Sequence, residues 1–477
     1  MSAVGGVVAR RARVSLVLAA IFALFGLSAA PAIAASPSTI SVVVPIVAPL
    51  TSNDLLTADE LVAATVSGAP WAVLAHAALS HGATIALDSR IVASIDALGT
   101  DAPPTVLAWY SSIQQRRPLY LAWGNADPFV LSAIGPSHRV SAADLGAISG
   151  IPVADIVVWP TGHAGSDHSV RRAGNAGFLT FIVDDRAFPD AAGALNHKLS
   201  ADIAQAVDPD ATVDPAELGS HLRRTVTGRA IVTLPRDPDA LSAQRAQEFL
   251  DALFPRGTVA TRFVPTPIDS LGAFSFADVP DSAIRSLMAQ HRLDNIVSGI
   301  AADPTVISTP RLRRLCVVAG RVDRDDFPST VRSYNRSAKS FDEFVSFSLG
   351  SDFTVLANST ELPLTVTNTS STDITVTASV NATSGIVNIA EPNQAVTIPA
   401  GESAQITVPM SSVANGHTTL RATLTTASGF AISKTEFVEI EVQAQWEGVT
   451  LIAFVGIVAL IMGIGIARTI RDRRSRA

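Results

Sequence analysis

Between Val449 and Ala467 the chain runs for nineteen residues, VTLIAFVGIVALIMGIGIA, without a charge. A helix rises about 1.5 Å per residue, so this stretch reaches roughly 28 Å, close to the roughly 30 Å of a bilayer's hydrocarbon core. Trp446 precedes it, where an indole favours the membrane interface. Arg468, Arg471, Arg473, Arg474 and Arg476 follow, diluted only by Asp472. A core helix of a globular domain keeps a polar face and does not end in such an arginine cluster. The sequence therefore predicts one transmembrane helix over 449–467 and a basic cytoplasmic tail over 468–477. By the positive-inside rule everything before the helix is extracellular, which makes a single-pass type I protein of the cell membrane.

The start of the chain points the same way. Arg10, Arg11 and Arg13 form a basic region, Val14 to Leu27 is apolar, and Ala32-Ile33-Ala34 supplies small residues where a signal peptidase cuts. Residues 1–34 are expected to be a signal peptide. The net charge is −7, and setting aside the three leader arginines and the net +4 of the tail leaves −14 on the outer part. Such an acidic surface argues against nucleic acid as a partner. Cys316 is the only cysteine, so no internal disulfide and no cysteine-based zinc site is available, and the thiol is expected to be buried and inert.

From residue 38 to 265 apolar β-branched runs alternate with helical patterns. Ile40 to Val47 (ISVVVPIV) reads as a strand buried on both faces. Thr57 with Glu60 has the spacing of a capping box at a helix start. Ala83 to Leu87, Leu119 to Trp123, Asp155 to Trp159, Phe178 to Val183, Ala230 to Leu234 and Val259 to Val264 read as further strands. Recurring strand–helix units build a parallel sheet, so this part is an α/β barrel-like domain, with a doubly wound open sheet as the other arrangement of the same units. No glycine-rich phosphate loop occurs, and no cofactor is expected. Residues 266–347 have helical spacing and read as an extension bracing the barrel, with Arg311, Arg313 and Arg314 on a solvated helix face. Residues 348–445 alternate with period two in Thr, Val and Ser, with turns such as Pro399-Ala400-Gly401-Glu402, and read as an immunoglobulin-like β-sandwich. A fragment from 352 to 443 is expected to fold alone.

In a barrel of this kind the chemistry sits at the C-terminal ends of the strands. Those ends carry Asp88, Trp123 with Asp127, Trp159 with His163, and Asp184 with Asp185. The carboxylates and the imidazole suit general acid–base work, and the two indoles suit stacking on sugar rings. The same aspartates also suit helix capping, where each is worth about 0.5–2 kcal/mol. His76 with His81 and His163 with His168 are spaced five apart and do not share a helix face, so no metal site is expected. No Gly-x-Ser-x-Gly elbow occurs.

The order VVVPIVAPL, GATIALDSRI, LYLAWGNADPFVLSAIG, VVWPTGHAG, LPLTVTNTSSTDITVTASV, IPAGESAQITVPM and ANGHTTLRATL, ahead of the apolar helix and arginine tail, resembles an uncharacterised family of exported actinobacterial membrane proteins. Genes of that family lie beside the one for the lipid II flippase, which implies a setting in the cell envelope. The barrel is distantly similar to polysaccharide deacetylases and glycoside hydrolases, and Phe181-Ile182-Val183-Asp184-Asp185 resembles the deacetylase strand end; the His-x-x-x-His metal motif has no match here. Two functions follow as expectations. One is a non-catalytic envelope scaffold binding cell-wall glycan or an envelope-biogenesis membrane protein. The other is a carbohydrate-active hydrolase or deacetylase using the strand-end carboxylates.

Overall fold

The computed structural model describes residues 39–49, 55–133, 139–160, 167–191, 193–271, 282–322, 325–339, 341, 343–349, 353–355, 359–442 and 446–474. The expected signal peptide and the candidate His163 lie outside them.

Among the described residues the N-terminal part has seven strands: β1 (Thr39–Ile46), β2 (Thr84–Asp88), β3 (Leu119–Leu121), β4 (Ile156–Val157), β5 (Thr180–Phe181), β6 (Arg229–Thr233) and β7 (Thr266–Pro267). Five of them form one parallel sheet in the order β4-β3-β2-β1-β6, with Val43 of β1 opposite Thr84 on one side and Thr233 on the other. The sheet curls into a half-barrel. Val158 bridges in parallel to Phe181 of β5, which pairs antiparallel with β7. On the far side the Leu195 N–H donates to the Val183 carbonyl at 2.7 Å and the Asn196 N–H to that of Ile231 at 2.6 Å. Irregular chain thus spans the gap between β6 and the β5 region.

The pattern of β1 explains its central place. All its residues except Thr39 are buried. Val42, Val44 and Ile46 face the helical layer, whereas Val43 points to the concave side with Ala86, Leu121, Val157, Ile182, Ile231 and Phe263. A strand with apolar side chains on both faces is stable only between two layers. The concave side is therefore a packed core, like the interior of a closed barrel. The outer helices begin and end as the sequence directs. Thr57 and Glu60 form the capping box of the helix Ala58–Thr65. Helix Pro70–His81 has proline in its first turn and stops at Gly82, whose φ of 69° is the left-handed conformation glycine adopts without strain.

Val259 to Val264, expected as a strand, is extended chain that joins no sheet. It crosses the N-terminal ends of β1 and β2 instead of running beside them. The Thr261 N–H donates to the Ile40 carbonyl (2.9 Å), the Phe263 N–H to the Thr84 hydroxyl (2.9 Å), and the Phe263 ring closes the bottom of the concave core.

Three helices follow, Ser282–Ser298, Thr305–Ala319 and Phe327–Ser337. Then come the strands β8 (Val345–Leu349), β9 (Phe353–Val355), β10 (Ser359–Asn368), β11 (Ile374–Ala382), β12 (Val387–Ile389), β13 (Asn393–Ile398), β14 (Ser403–Ser412), β15 (Gly416–Thr425) and β16 (Glu436–Val442). They form two facing sheets, β12-β14-β10-β8 and β13-β11-β15-β16-β9, antiparallel except for the β16–β9 pair. Inward residues alternate with outward ones, as in Leu362, Leu364 and Val366 of β10 and Ile374, Val376, Ala378 and Val380 of β11. The sandwich begins earlier than the expected boundary at 348, because β8 pairs along β10 with Leu349 opposite Leu364.

The first two of these helices belong to both cores, and the third, Phe327–Ser337, packs with the half-barrel alone. Leu287, Met288, Leu315, Cys316 and Phe327 pack with the half-barrel's helical layer, while Val297, Ile300, Ala301 and Ile307 pack inside the sandwich core. Backbone bonds reinforce the join: the Thr375 N–H donates to the Ile300 carbonyl and the Ala302 N–H to that of Asp373, both at 2.8 Å.

The solvated arginine face expected over 311–314 is a correction. Arg311 is 2% exposed and its Nη2 lies 3.1 Å from Glu343 Oε1, with its guanidinium 4.3 Å from the Phe341 ring centre. Arg314 meets the same carboxylate in a bidentate pair at 2.9 and 2.8 Å. Glu343 lies 29 residues beyond Arg314 in sequence and only the fold brings it to these arginines, so helical spacing alone read them as surface.

Next to this pair, Asp294 accepts from Gln290 Nε2 (2.9 Å) and from the Tyr334 hydroxyl (3.2 Å). Burial raises the Asp294 pKa above the usual carboxylate value, against the lowering effects of Gln290, Arg311 and Tyr334. A carboxyl whose folded pKa is raised stabilises the fold in full below its unfolded pKa, and that contribution is lost as pH rises through the folded value. Unfolding free energy should therefore fall as pH climbs from about 4 toward neutrality. In Asp294→Asn the fall should be shallower, with the remainder due to Asp88 and Asp202, which burial also raises. Urea unfolding across that range checks it; parallel curves for the two proteins would refute the assignment.

Candidate functional site

The residues at the C-terminal strand ends are held by backbone donors. Asp88 closes β2 and is 0% exposed. Its Oδ1 accepts from the N–H groups of Arg90 and Gly124, each at 3.0 Å, and its Oδ2 from that of Ala48 at 3.3 Å. These donors follow β2, β3 and β1, so one carboxylate ties together the ends of three adjacent strands. Burial pushes its pKa up, against Arg90 and the three N–H groups. A raised carboxyl in an open cleft is a candidate general acid. Asp88 is fully buried, beneath the residues that donate to it.

Asp127 is 0% exposed and caps the short helix Pro128–Leu131 through the N–H groups of Phe129 (2.8 Å) and Val130 (3.1 Å). Asp184 accepts from the Ala187 N–H at 2.8 Å, holding the turn after β5. Asp185 accepts from the His197 N–H at 2.9 Å, at the start of the helix His197–Val207. Each aspartate thus engages the first donors of the segment that follows a strand, the groups a helix or turn leaves without partners. Among the described residues no three His, Cys, Asp or Glu side chains are arranged to hold a metal ion.

The two indoles are interior. Trp123 is 0% exposed with the Arg313 guanidinium 5.0 Å from its ring centre. Trp159 is 8% exposed and closes the top of the concave core, with Arg236 at 5.5 Å over the ring and Arg236 Nη1 donating to its carbonyl at 2.8 Å. Neither ring offers an open face to a sugar. Cation–π contact with arginine occupies the faces that stacking would need.

The helix Thr305–Ala319 and the turn after it pack on the loop that follows β3. A Cβ on Gly124 would come within 3.1 Å of Val317 Cα, and a Cβ on Gly320 would collide with the Gly124 carbonyl oxygen. The two backbones touch, and only glycine at these places permits it. Cys316 is buried in the same contact layer, which raises its thiol pKa and matches the inert role expected of it. Sequence reading missed this cover. Its signal was the glycine at 320 following an apolar stretch (Leu315 to Ala319), which read as an ordinary helix end.

Family comparison separates the two halves of the chain. The model of a family of unknown function (DUF6049) matches residues 235–476, just over half of the 477 residues. The chain belongs to the DUF6049 family. The DUF6049 match begins directly after Leu234, past β6, and takes in the bracing helices, the sandwich and the C-terminal helix. Asp88, Asp127, His163, Asp184 and Asp185 all precede it, so no candidate catalytic residue lies in the part that defines DUF6049 membership.

No curated protein matches the chain. Among solved structures it is similar to an alpha-2-macroglobulin from Escherichia coli at 18% identity, over 21% of this chain and 16% of that one, with a TM-score of 0.18. A FixG-related protein from Vibrio parahaemolyticus matches at 18% identity, over 20% of this chain and 91% of that one, with a TM-score of 0.16. A CARDB domain from Pyrococcus furiosus matches at 14% identity, over 21% and 92%, with a TM-score of 0.17. Likenesses this slight carry no argument.

The C-terminal helix, Trp446–Arg474, is 29 residues long. Among the described residues no single helix is long and apolar enough to cross a membrane; the apolar part that qualifies by composition is Ile452–Arg468. Its large side chains are bare, from 40% exposed at Val458 to 74% at Ile452.

Proposed function

We propose that this DUF6049 protein is a membrane-anchored, extracytoplasmic scaffold of the cell envelope that binds a glycan or an envelope-biogenesis partner and performs no catalysis. The observation that carries the reading is the cover over the loop after β3, together with the full burial of Asp88 and Asp127. Where a barrel enzyme keeps an open cleft, this chain lays its own helix Thr305–Ala319 backbone to backbone, and the aspartates beneath accept from backbone N–H groups. A general acid or base must reach a substrate proton within hydrogen-bonding distance, and Asp88 and Asp127, both 0% exposed, face inward. With Trp123 and Trp159 interior, partner contact falls to other surfaces of the half-barrel and sandwich.

The anchor is supported by the bare apolar side chains of Ile452 to Ile466 and by the arginines that follow. Isolated in water, a helix with Phe454, Leu460 and Ile461 all more than 60% exposed leaves a large apolar surface uncovered. The uncharged sequence reaches back to Val449, which lengthens it toward the bilayer thickness. Expressed in cells and fractionated, the full chain should sediment with membranes and a chain ending at residue 445 should not. Protease added to intact protoplasts should digest the sandwich; its protection would overturn the orientation. Asp184→Asn, scored for abundance and envelope phenotype in a deletion strain, tests the absence of catalysis. A variant as abundant as wild type that fails to complement would restore the hydrolase.

A further inference from the structure

The opposite end of the sheet, where the strands begin, carries a cleft of about 310 Å³. Its charged lining residues are Arg116, Arg117 and Arg262, and no carboxylate is among the lining residues. Arg116 and Arg117 stand on the turn between the helix Pro104–Gln114 and β3. Arg262 comes from the extended segment that crosses under β1 and β2. The two segments are tied together: Arg262 Nη2 donates to the Arg117 carbonyl at 3.1 Å. Arg117 itself has a φ of 51°, the left-handed conformation that non-glycine residues seldom take. That conformation turns its carbonyl toward Arg262 and brings arginines from two distant parts of the sequence to one mouth.

The lining is wholly basic in its charge, on a chain that is acidic overall. The chain carries a net −7, and Arg311 and Arg314, by contrast, share a carboxylate. Here three arginines line one concavity with no acid in its wall. The remaining wall is largely apolar, with Leu79, Ile113 and Val259. Val259 is 69% exposed, a bare side chain at the rim. A volume near 310 Å³ lies at the small end of the range in which organic ligands bind.

We propose that this cleft binds a small phosphate or diphosphate ester, its phosphate on Arg116, Arg117 and Arg262 and its organic part against Leu79, Ile113 and Val259. A permanent charge of three guanidiniums is balanced by an anion with two or more negative charges, which a monocarboxylate does not supply. The planar fork of arginine also matches two phosphate oxygens at once. The site is separate from the strand-end cluster, and it stands whether or not the scaffold reading does.

The test is calorimetric titration of the full chain in detergent micelles at low ionic strength, with inorganic pyrophosphate, inorganic phosphate and acetate as probes. Pyrophosphate should bind saturably, about tenfold or more tighter than phosphate, and acetate should not bind. Arg116→Gln and Arg262→Gln should each weaken pyrophosphate by about tenfold or more; both side chains are exposed, so the unfolding midpoint should stay unchanged for Arg116→Gln and fall only slightly for Arg262→Gln, which loses one exposed hydrogen bond to the Arg117 carbonyl. Val259→Glu, which sets a negative charge at the rim and removes no arginine, should weaken it as well. Absence of saturable pyrophosphate binding overturns the proposal. So does binding that survives the Arg116→Gln and Arg262→Gln double variant, or acetate binding as tightly as pyrophosphate.

Discussion

Asp88→Ala should destabilise the half-barrel by about 4 kcal/mol, more than any cap-to-alanine change on the surface. The substitution removes one acceptor group from three buried N–H donors at once, those of Ala48, Arg90 and Gly124. An unsatisfied buried donor costs about 1–3 kcal/mol, and the fully buried Arg90 also loses a neighbouring negative charge. A simple helix cap would lose only about 0.5–2 kcal/mol. Asp88→Asn should fall between, because its amide oxygen still accepts while its NH₂ meets a donor. Urea midpoints of the two variants decide the matter. A stable, abundant Asp88→Ala protein would show that the carboxylate does not tie the strand ends and would return it to the list of catalytic candidates.

A fragment of residues 352–443 should fail to fold cooperatively, contrary to what the alternating pattern alone implies. It lacks β8 and leaves behind Val297, Ile300, Ile307, Phe341, Phe344 and Val345, all part of the sandwich core. Burying each such side chain contributes about 1.5–3 kcal/mol, and six of them together rival the roughly 5–15 kcal/mol net stability of a whole domain. Extending the fragment back to residue 282 should restore a sharp thermal transition and a near-native β signal in circular dichroism. A sharp transition in the shorter fragment would show that the sandwich closes its core without the helices.

The sequence disclosed those parts of the fold that depend on local pattern. ISVVVPIV announced a doubly buried strand, Thr57 and Glu60 announced a capping box, and the Thr-Val alternation announced the sandwich. What it could not disclose was which long-range partner each group meets. Val259 to Val264 has the composition of a strand, but its side chains satisfy the underside of the sheet, and composition does not say whether extended chain runs beside a strand or across its end. Arg311 and Arg313 have the spacing of a helix surface, and the surface they occupy is covered by Glu343, Phe341 and Trp123 from elsewhere. At the candidate site the residues were found but not their orientation. Asp after a strand is written the same way whether the carboxyl reaches into a cleft or back to the chain. The arginine cleft went unnoticed for the same reason, since Arg117 and Arg262 are 145 positions apart.

The helices Ser282–Ser298 and Thr305–Ala319 place side chains in two cores at once, and this has a mechanical consequence. A domain hung on a flexible linker swivels, and a load on one end is absorbed as slack. Here a pull or torque entering through the sandwich passes into Ile300 and Ile307, along the helices, and through Val317 and Gly320 onto the loop that follows β3. The molecule transmits orientation as a rigid bracket does: whatever fixes the attitude of the sandwich also fixes the attitude of the half-barrel, and the arginine cleft at its far end keeps a constant bearing.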